Sequence, residues 1–135
     1  MPIAYFPIID NVQAYMMTKE LKEVADYAAN TFENLYLLSR NSSGGYVLFK
    51  KELKIPRMIK DSFYTIEIVS NATYHALGIR TYVSDKRQIN ADSWLIRGLK
   101  VAGLRTVNSS YSELVFACCE CRGGEVFVWF SLDSV

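Results

Sequence analysis

Histidine, proline and cysteine are all scarce in this sequence of 135 residues, which contains one, three and three of them respectively. No uncharged apolar run reaches the roughly 18 residues that a membrane-spanning helix needs. The amino terminus lacks the basic start of a secretory signal and carries Pro2, Pro7 and Asp10 within its first ten residues. We therefore expect a cytoplasmic protein with no membrane partner.

The three cysteines, Cys118, Cys119 and Cys121, lie within four residues of one another. An odd number of cysteines cannot close a disulfide framework, so we expect free thiols in a reducing compartment. A structural zinc site normally draws four ligands from two short pairs, and the single histidine, His75, is distant in the sequence. The sequence therefore predicts no metal and no cofactor, and the thiols are interpreted as small buried hydrophobic groups.

Catalytic motifs are also missing from the sequence. It has no metalloprotease helix motif, no nucleophile elbow and no phosphate-binding glycine loop. The two glycine pairs, at 44–45 and 123–124, are typical of β turns. We predict no catalytic residue, and a small enzyme centred on Glu67 or Cys119 remains only the third functional interpretation.

The near-neutral net charge of +1 conceals an uneven distribution. Residues 50–105 contain 11 basic and 5 acidic side chains, whereas the segments before and after them have more acidic than basic side chains. This basic excess predicts a surface for an anionic partner, either a protein or a nucleic acid. The predicted partner-binding residues are Lys50, Lys51, Lys54, Arg57, Lys60, Lys86 and Arg87. If the partner is a single-stranded nucleic acid, the candidate surfaces on which its bases stack are Tyr46, Tyr64 and Tyr82. The alternative is that the basic segment is a solvated edge strand and loop, in which lysine prevents pairing with the edge of another sheet.

Apolar residues recur at intervals of three and four between Leu21 and Leu38. This spacing predicts an amphipathic helix over residues 18–40, with Thr18 as its N-cap and the segment 41–45 as its end. The two prolines near the amino terminus instead predict that residues 1–17 form an extended arm or an edge strand, and two alternatives stay open for residues 10–17, an extension of the helix or a separate turn.

Extended segments rich in aromatic and β-branched residues follow the helix. They predict strands at 46–53, 62–70 and 77–83 and a hairpin of residues 112–121 and 125–133. A second helix of about ten residues is predicted between Asp92, its N-cap, and Gly103, which follows its end. The predicted class is α+β with the order (β)αβββαββ in a single domain of residues 1–135, whose core is 18–135. We expect an antiparallel or mixed sheet of five or six strands with the helices on one face.

The last strand alternates apolar side chains on both of its faces, with Phe127 and Trp129 on the side opposite Val126, Val128 and Phe130. Two helices cover only one side of such a sheet, so Phe127 and Trp129 are predicted to form the interface of a homodimer. The alternative cover for this face is the segment 1–17.

The scarcity of chemical motifs favours a non-enzymatic small binding protein that acts by protein–protein interaction. Inhibitors, adaptors, immunity proteins and viral proteins such as phage counter-defence factors belong to this class. The second interpretation is a nucleic-acid-binding module that uses the basic segment 50–60.

Overall fold

The chain is described here from a computed structural model that covers residues 5–40, 46–60, 62–71, 76–97, 99–110, 114–122 and 125–133. The predicted α+β class is confirmed, because one long helix packs against two sheets of four strands each. The elements are α1 (Tyr5–Arg40), β1 (Tyr46–Glu52), β2 (Tyr64–Asn71), β3 (Ala76–Val83), β4 (Lys86–Arg97), β5 (Leu99–Val101), β6 (Thr106–Asn108), β7 (Leu114–Arg122) and β8 (Glu125–Asp133).

The strands form two sheets, where the sequence predicted one sheet of five or six strands. The first sheet has the order β1-β7-β8-β5, and the second has the order β4-β3-β2-β6. Every pairing is antiparallel except that of β5 with β8, which is parallel. One residue separates β4 from β5, so the chain leaves the second sheet and joins the first almost without a loop. Such a crossing is a tertiary event that local periodicity does not report.

The helix and the inner faces of both sheets share one hydrophobic core. Ala28 and Phe32 on α1 are fully buried, and Phe32 meets Phe130 of β8 edge-to-face with ring centroids 5.6 Å apart. In the second sheet, the buried hydroxyl of Thr81 donates to the main-chain carbonyl of Leu21 at 2.9 Å. Aromatic packing therefore holds the helix to the first sheet, and a buried hydrogen bond holds it to the second.

The predicted start of the helix is wrong. Residues 5–17 are not an extended arm or an edge strand, because α1 begins at Tyr5 and continues without interruption to Arg40. Pro7 is tolerated because it lies in the first turn, where main-chain N–H groups have no partner within the helix. Thr18 is not an N-cap, since its hydroxyl donates back to the carbonyl of Ala14 at 2.8 Å in the middle of the helix.

The predicted second helix is also wrong, because residues 92–97 belong to β4 and residues 99–101 form β5. β4 pairs with β3 over nearly its whole length, with Ser93 opposite Ile79 and Asp92 opposite Arg80. The spacing of Trp94, Leu95 and Leu99 suits a helix, but it is also compatible with a strand that has one buried face. Pairing with β3 decided between the two.

The remaining strand predictions agree with the structure within about two residues. The predicted hairpin is confirmed as β7 and β8, with Arg122 opposite Glu125, and its two turn glycines lie outside the described residues. The short strand β6 was not predicted, since three residues are too few to show a period. Within the described part of the chain, no helix is long and apolar enough to cross a membrane.

Candidate functional site

The first candidate surface is the side of the first sheet that faces away from α1, which we name the first outer face. Strand registers place on it Leu48, Lys50, Glu52, Lys100, Phe116, Cys118, Glu120, Arg122, Glu125, Phe127, Trp129 and Ser131. As the sequence predicted, Phe127 and Trp129 lie opposite the buried Val126, Val128 and Phe130. Residues 5–17, the alternative cover for this face, instead continue α1.

The aromatic side chains of this face are half-buried, and parts of this same chain cover them. The guanidinium of Arg122 lies 5.3 Å from the Phe127 ring centroid, and the ammonium of Lys50 lies 4.5 Å from that of Phe116. Gly103, with φ at +77°, approaches Trp129 so closely that a Cβ there would lie 3.3 Å from Cδ1 of the indole. The centre of the face is thus aromatic, and Arg122, Lys50 and the main chain at Gly103 cover part of it.

Charges of both signs surround this aromatic centre among the described side chains. The cations are Lys50, Lys100 and Arg122, and the carboxylates are Glu52, Glu120 and Glu125. Arg122 pairs with the largely buried Glu120 at 2.7 Å, and Lys100 pairs with Glu125 at 2.8 Å. The described charged side chains of the face therefore balance in formal charge, which suits a partner that carries both signs.

The predicted basic residues divide between two places. Lys50 and Lys51 are exposed on β1, at the edge of the first sheet, while Lys54, Arg57 and Lys60 are exposed in the loop 53–60. The ammonium of Lys60 lies 3.8 Å from a carboxylate oxygen of Glu20 on α1. The basic segment 50–60 is consequently not one continuous positive surface.

The loop 53–60 and the turn between β3 and β4 meet at one end of the second sheet. Arg57 donates to the Ser110 carbonyl at 3.5 Å, and the Ser110 N–H donates to the Asn108 side-chain oxygen at 2.9 Å. The Asn108 amide in turn donates to the Ser84 hydroxyl at 3.2 Å. Lys86 and Arg87 follow this turn, so the structure places them at the same end of the sheet as Arg57.

Of the three tyrosines predicted as stacking surfaces, one is ruled out and one is covered. Tyr64 is fully buried, its hydroxyl donates to the Pro56 carbonyl, and burial raises its pKa. Tyr82 is buried beneath Arg87, whose guanidinium lies 4.7 Å from the ring centroid and donates to the hydroxyl at 3.2 Å. The side chain of Tyr46 lies outside the described residues.

A second candidate surface was missed by the sequence analysis, and we name it the second outer face. It is the side of the second sheet away from the core, where a cavity of about 450 Å³ is lined by Glu67, Arg80, Tyr82, Arg87 and Asn90. Arg80 donates to Asp92 at 2.9 Å, and this hydrogen bond raises the pKa of Arg80.

Trp94 adjoins this cavity one row further along β4, with 48% of its surface exposed. The indole lies against Gly78, where an added Cβ would be only 2.7 Å from Cε3. Because the sequence analysis placed Trp94 on a helix, it did not predict that Trp94 lies on this face of the second sheet. The available signal was the two-residue spacing of Asn90, Asp92 and Trp94, which puts all three on one face of a strand.

The structure places the two side chains of the enzyme interpretation, Cys119 and Glu67, in different surroundings. Cys119 is fully buried, and burial raises the pKa of its thiol to about 11, so it is protonated near neutral pH. Glu67 stands opposite Arg80 in the register of β2 and β3. The cysteines are free thiols, as predicted. His75 lies outside the described residues, and no group of metal-binding side chains occurs within them.

No family model, no curated protein and no solved structure matches this chain. The function is therefore inferred from the geometry of its own surfaces.

Proposed function

We propose that this chain is a non-catalytic binding protein of the inhibitor or adaptor type, which acts by protein–protein association and forms a homodimer through its first outer face. The observation that carries the proposal is the aromatic centre of that face. Phe116, Phe127 and Trp129 are half-buried there, and Leu48 beside them is 51% exposed. Aromatic side chains at the middle of a surface, ringed by polar groups, are typical of interface cores.

Charge supports a second copy of the chain as the occupant. In a two-fold symmetric contact each patch meets itself, so a patch with net charge would repel its own copy. Among its described side chains the first outer face has three cations and three carboxylates, so a second copy brings equal numbers of both signs to the contact. Once that face is occupied, the loop 53–60 and residues 86–87 remain as the surface for an external partner.

The dimer is tested by light scattering after size-exclusion chromatography. The unaltered chain is expected at twice the chain mass of 15.4 kDa, and Phe127→Glu is expected at the chain mass itself. A buried carboxylate without a partner at the centre of the interface accounts for the change. The matched control is Leu37→Glu, which places the same charge on the exposed side of α1, where Leu37 is 50% exposed, and it is expected to remain a dimer.

Three results would contradict the dimer: a monomeric unaltered chain, a dimeric Phe127→Glu variant, or a monomeric Leu37→Glu variant. Circular dichroism of each variant shows that it is folded before its mass is interpreted. Trp129→Glu is the less informative change, because Trp129 also packs on Gly103 within its own chain.

A second candidate function, binding of a nucleic acid, is favoured by the hydrogen-bond chain from Arg57 to Ser84. It brings the loop 53–60 to the end of the sheet where Lys86 and Arg87 lie. The double variant Arg57→Glu/Lys86→Glu is expected to abolish binding of a fluorescent single-stranded oligonucleotide at 50 mM salt, and 200 mM salt is expected to weaken it steeply. Lys19→Glu/Arg105→Glu, at exposed residues outside both proposed surfaces, is the control with equal charge change. Salt-independent binding, or equal effects of the two pairs, would exclude this function.

A further inference from the structure

The second outer face joins an exposed indole to a polar cavity. Successive side chains on one face of a strand are about 6.6 Å apart, so Trp94 lies one row from Asp92 and from its partner Arg80. Glu67 stands opposite Arg80 on β2 and completes that row. A planar ring stacked on Trp94 would therefore place its edge at the row of Glu67 and Arg80, at the mouth of the cavity.

The charges of this cavity select the kind of ring. Glu67 is the carboxylate among the side chains that line it, and Arg80 and Arg87 are the guanidiniums, so the site offers both hydrogen-bond acceptors and donors. Arg80 uses its Nε for Asp92, which is one of the five donors of a guanidinium. The site thus fits a planar ligand with donors and acceptors along its edge.

Guanine has the edge pattern that this row complements. Its N1–H and N2–H form a pair of donors that a carboxylate accepts, and its O6 and N7 form a pair of acceptors for a guanidinium. Bases that are not paired in a duplex are commonly recognised in this way, by stacking on an aromatic ring together with hydrogen bonds to their edges. Cytosine offers a carboxylate only one exocyclic amino group, and uracil offers no amino group.

We propose that the second outer face is a binding site for a guanine base, which stacks on Trp94 and is recognised at its edge by Glu67 and Arg80. Arg87, lying over Tyr82, closes the far side of the cavity. The site is on the other sheet from the first outer face, so it does not depend on the dimer.

Trp94 itself reports on the test. The chain has two tryptophans, so Trp129→Phe leaves Trp94 as the only one. Guanosine 5′-monophosphate is expected to quench its emission to saturation, with a Kd at least about tenfold lower than those of the adenosine, cytidine and uridine monophosphates. Calorimetry on the unaltered chain gives the same comparison without any substitution. Equal affinities for all four nucleotides, or no saturable signal with guanosine monophosphate, would overturn the proposal.

Glu67→Gln tests the recognition separately from the stacking. It is expected to weaken guanosine monophosphate about tenfold, because an amide offers one acceptor where the carboxylate offers two, while adenosine monophosphate is unaffected. Glu125→Gln on the first outer face is the matched control and is expected to change neither Kd. Unaltered guanine affinity in Glu67→Gln would refute the assigned role of that residue.

The source of the base is distinguished by three probes: guanosine, guanosine monophosphate, and a short oligouridine strand containing one guanine. Tighter binding of the strand identifies single-stranded nucleic acid as the source, and equal binding of all three identifies the free nucleoside or nucleotide. Failure of all three probes would reject the guanine site and leave the dimer to its own experiment.

Discussion

Gly78 determines where an exposed aromatic side chain lies, because it has no Cβ. A Cβ built at Gly78 would lie 2.7 Å from Cε3 and 2.9 Å from Cζ3 of Trp94, and 3.3 Å from the carbonyl oxygen of Ser93. Real Cβ atoms do not approach other atoms so closely, so any larger residue displaces the indole. The glycine thus allows Trp94 to lie across β3 rather than extend into solvent.

Gly78→Ala is expected to displace Trp94 and to lower the free energy of unfolding by about 1 kcal/mol, because it inserts a methyl group into an occupied contact. In the Trp94→Ala background the same change is expected to cost little, since the colliding ring is gone. Urea denaturation of the four proteins measures this coupling. An equal loss in both backgrounds would mean that the main chain of β3, and not the indole, requires glycine.

Because Cys119 is buried, the free energy of unfolding is expected to decrease as the pH rises into the alkaline range. The unfolded thiol has a pKa of 9.0, while burial raises the pKa in the folded chain to about 11. Between these values the unfolded chain releases a proton that the folded chain retains, so stability is full below pH 9 and is lost as pH rises toward 11.

The free energy of unfolding is therefore expected to fall between pH 8.5 and pH 10.5 in the unaltered chain, and to fall less in Cys119→Ala. Urea denaturation at several pH values measures both slopes, and subtracting them removes the contributions of tyrosine and lysine. Parallel slopes would contradict a raised pKa at Cys119.

Among the elements, α1 and β4 were predicted wrongly in opposite directions. Part of the helix was predicted to be extended, and part of a strand was predicted to be helical. The helix begins thirteen residues before the predicted start. The prediction failed because prolines occur both in the first turn of a helix and in an extended arm, and the sequence alone does not distinguish the two. β4 was predicted as part of a helix because a few apolar residues over ten positions satisfy both periods. Pairing with β3, which neither period reports, decided the state of β4.

Thr18→Ala distinguishes the two possible positions of the helix start. The loss of an N-cap would cost about 1 kcal/mol, whereas replacing a mid-helix threonine that bonds back to Ala14 is expected to leave stability unchanged or slightly raised. Thr81→Val is the comparison, and its loss of the buried hydrogen bond to Leu21 is expected to cost about 1 kcal/mol. Thermal denaturation measures both, and destabilisation by Thr18→Ala would place the helix start at residue 18.

At the scale of the whole molecule, the two sheets share a single core built on one helix. Each sheet carries one tryptophan, Trp129 on β8 of the first and Trp94 on β4 of the second. Neither sheet has another cover for its apolar inner face among the described elements, so the two sheets are expected to unfold together.

Trp94→Phe and Trp129→Phe leave one fluorescent reporter in the first and second sheet respectively. In each variant the fluorescence transition in urea is expected to coincide with the loss of helical circular dichroism, at a single midpoint. A fluorescence transition that separates from the helical signal in either variant would show that the sheets are independent units, contrary to the single domain predicted from the sequence.

Local patterns were sufficient to predict the α+β class, helix residues 18–40, three of the strands and the terminal hairpin, because a local period or a turn signal indicates each of them. They also predicted that Phe127 and Trp129 share a face, since alternation along a strand is local. Three features required the long-range packing of the chain: the division into two sheets, the strand state of residues 92–97 and 99–101, and the hydrogen-bonded link from Arg57 through Ser110 and Asn108 to Ser84. The second outer face belongs with them, because Glu67, Arg80 and Trp94 come from three strands whose register depends on pairing, which no single segment encodes.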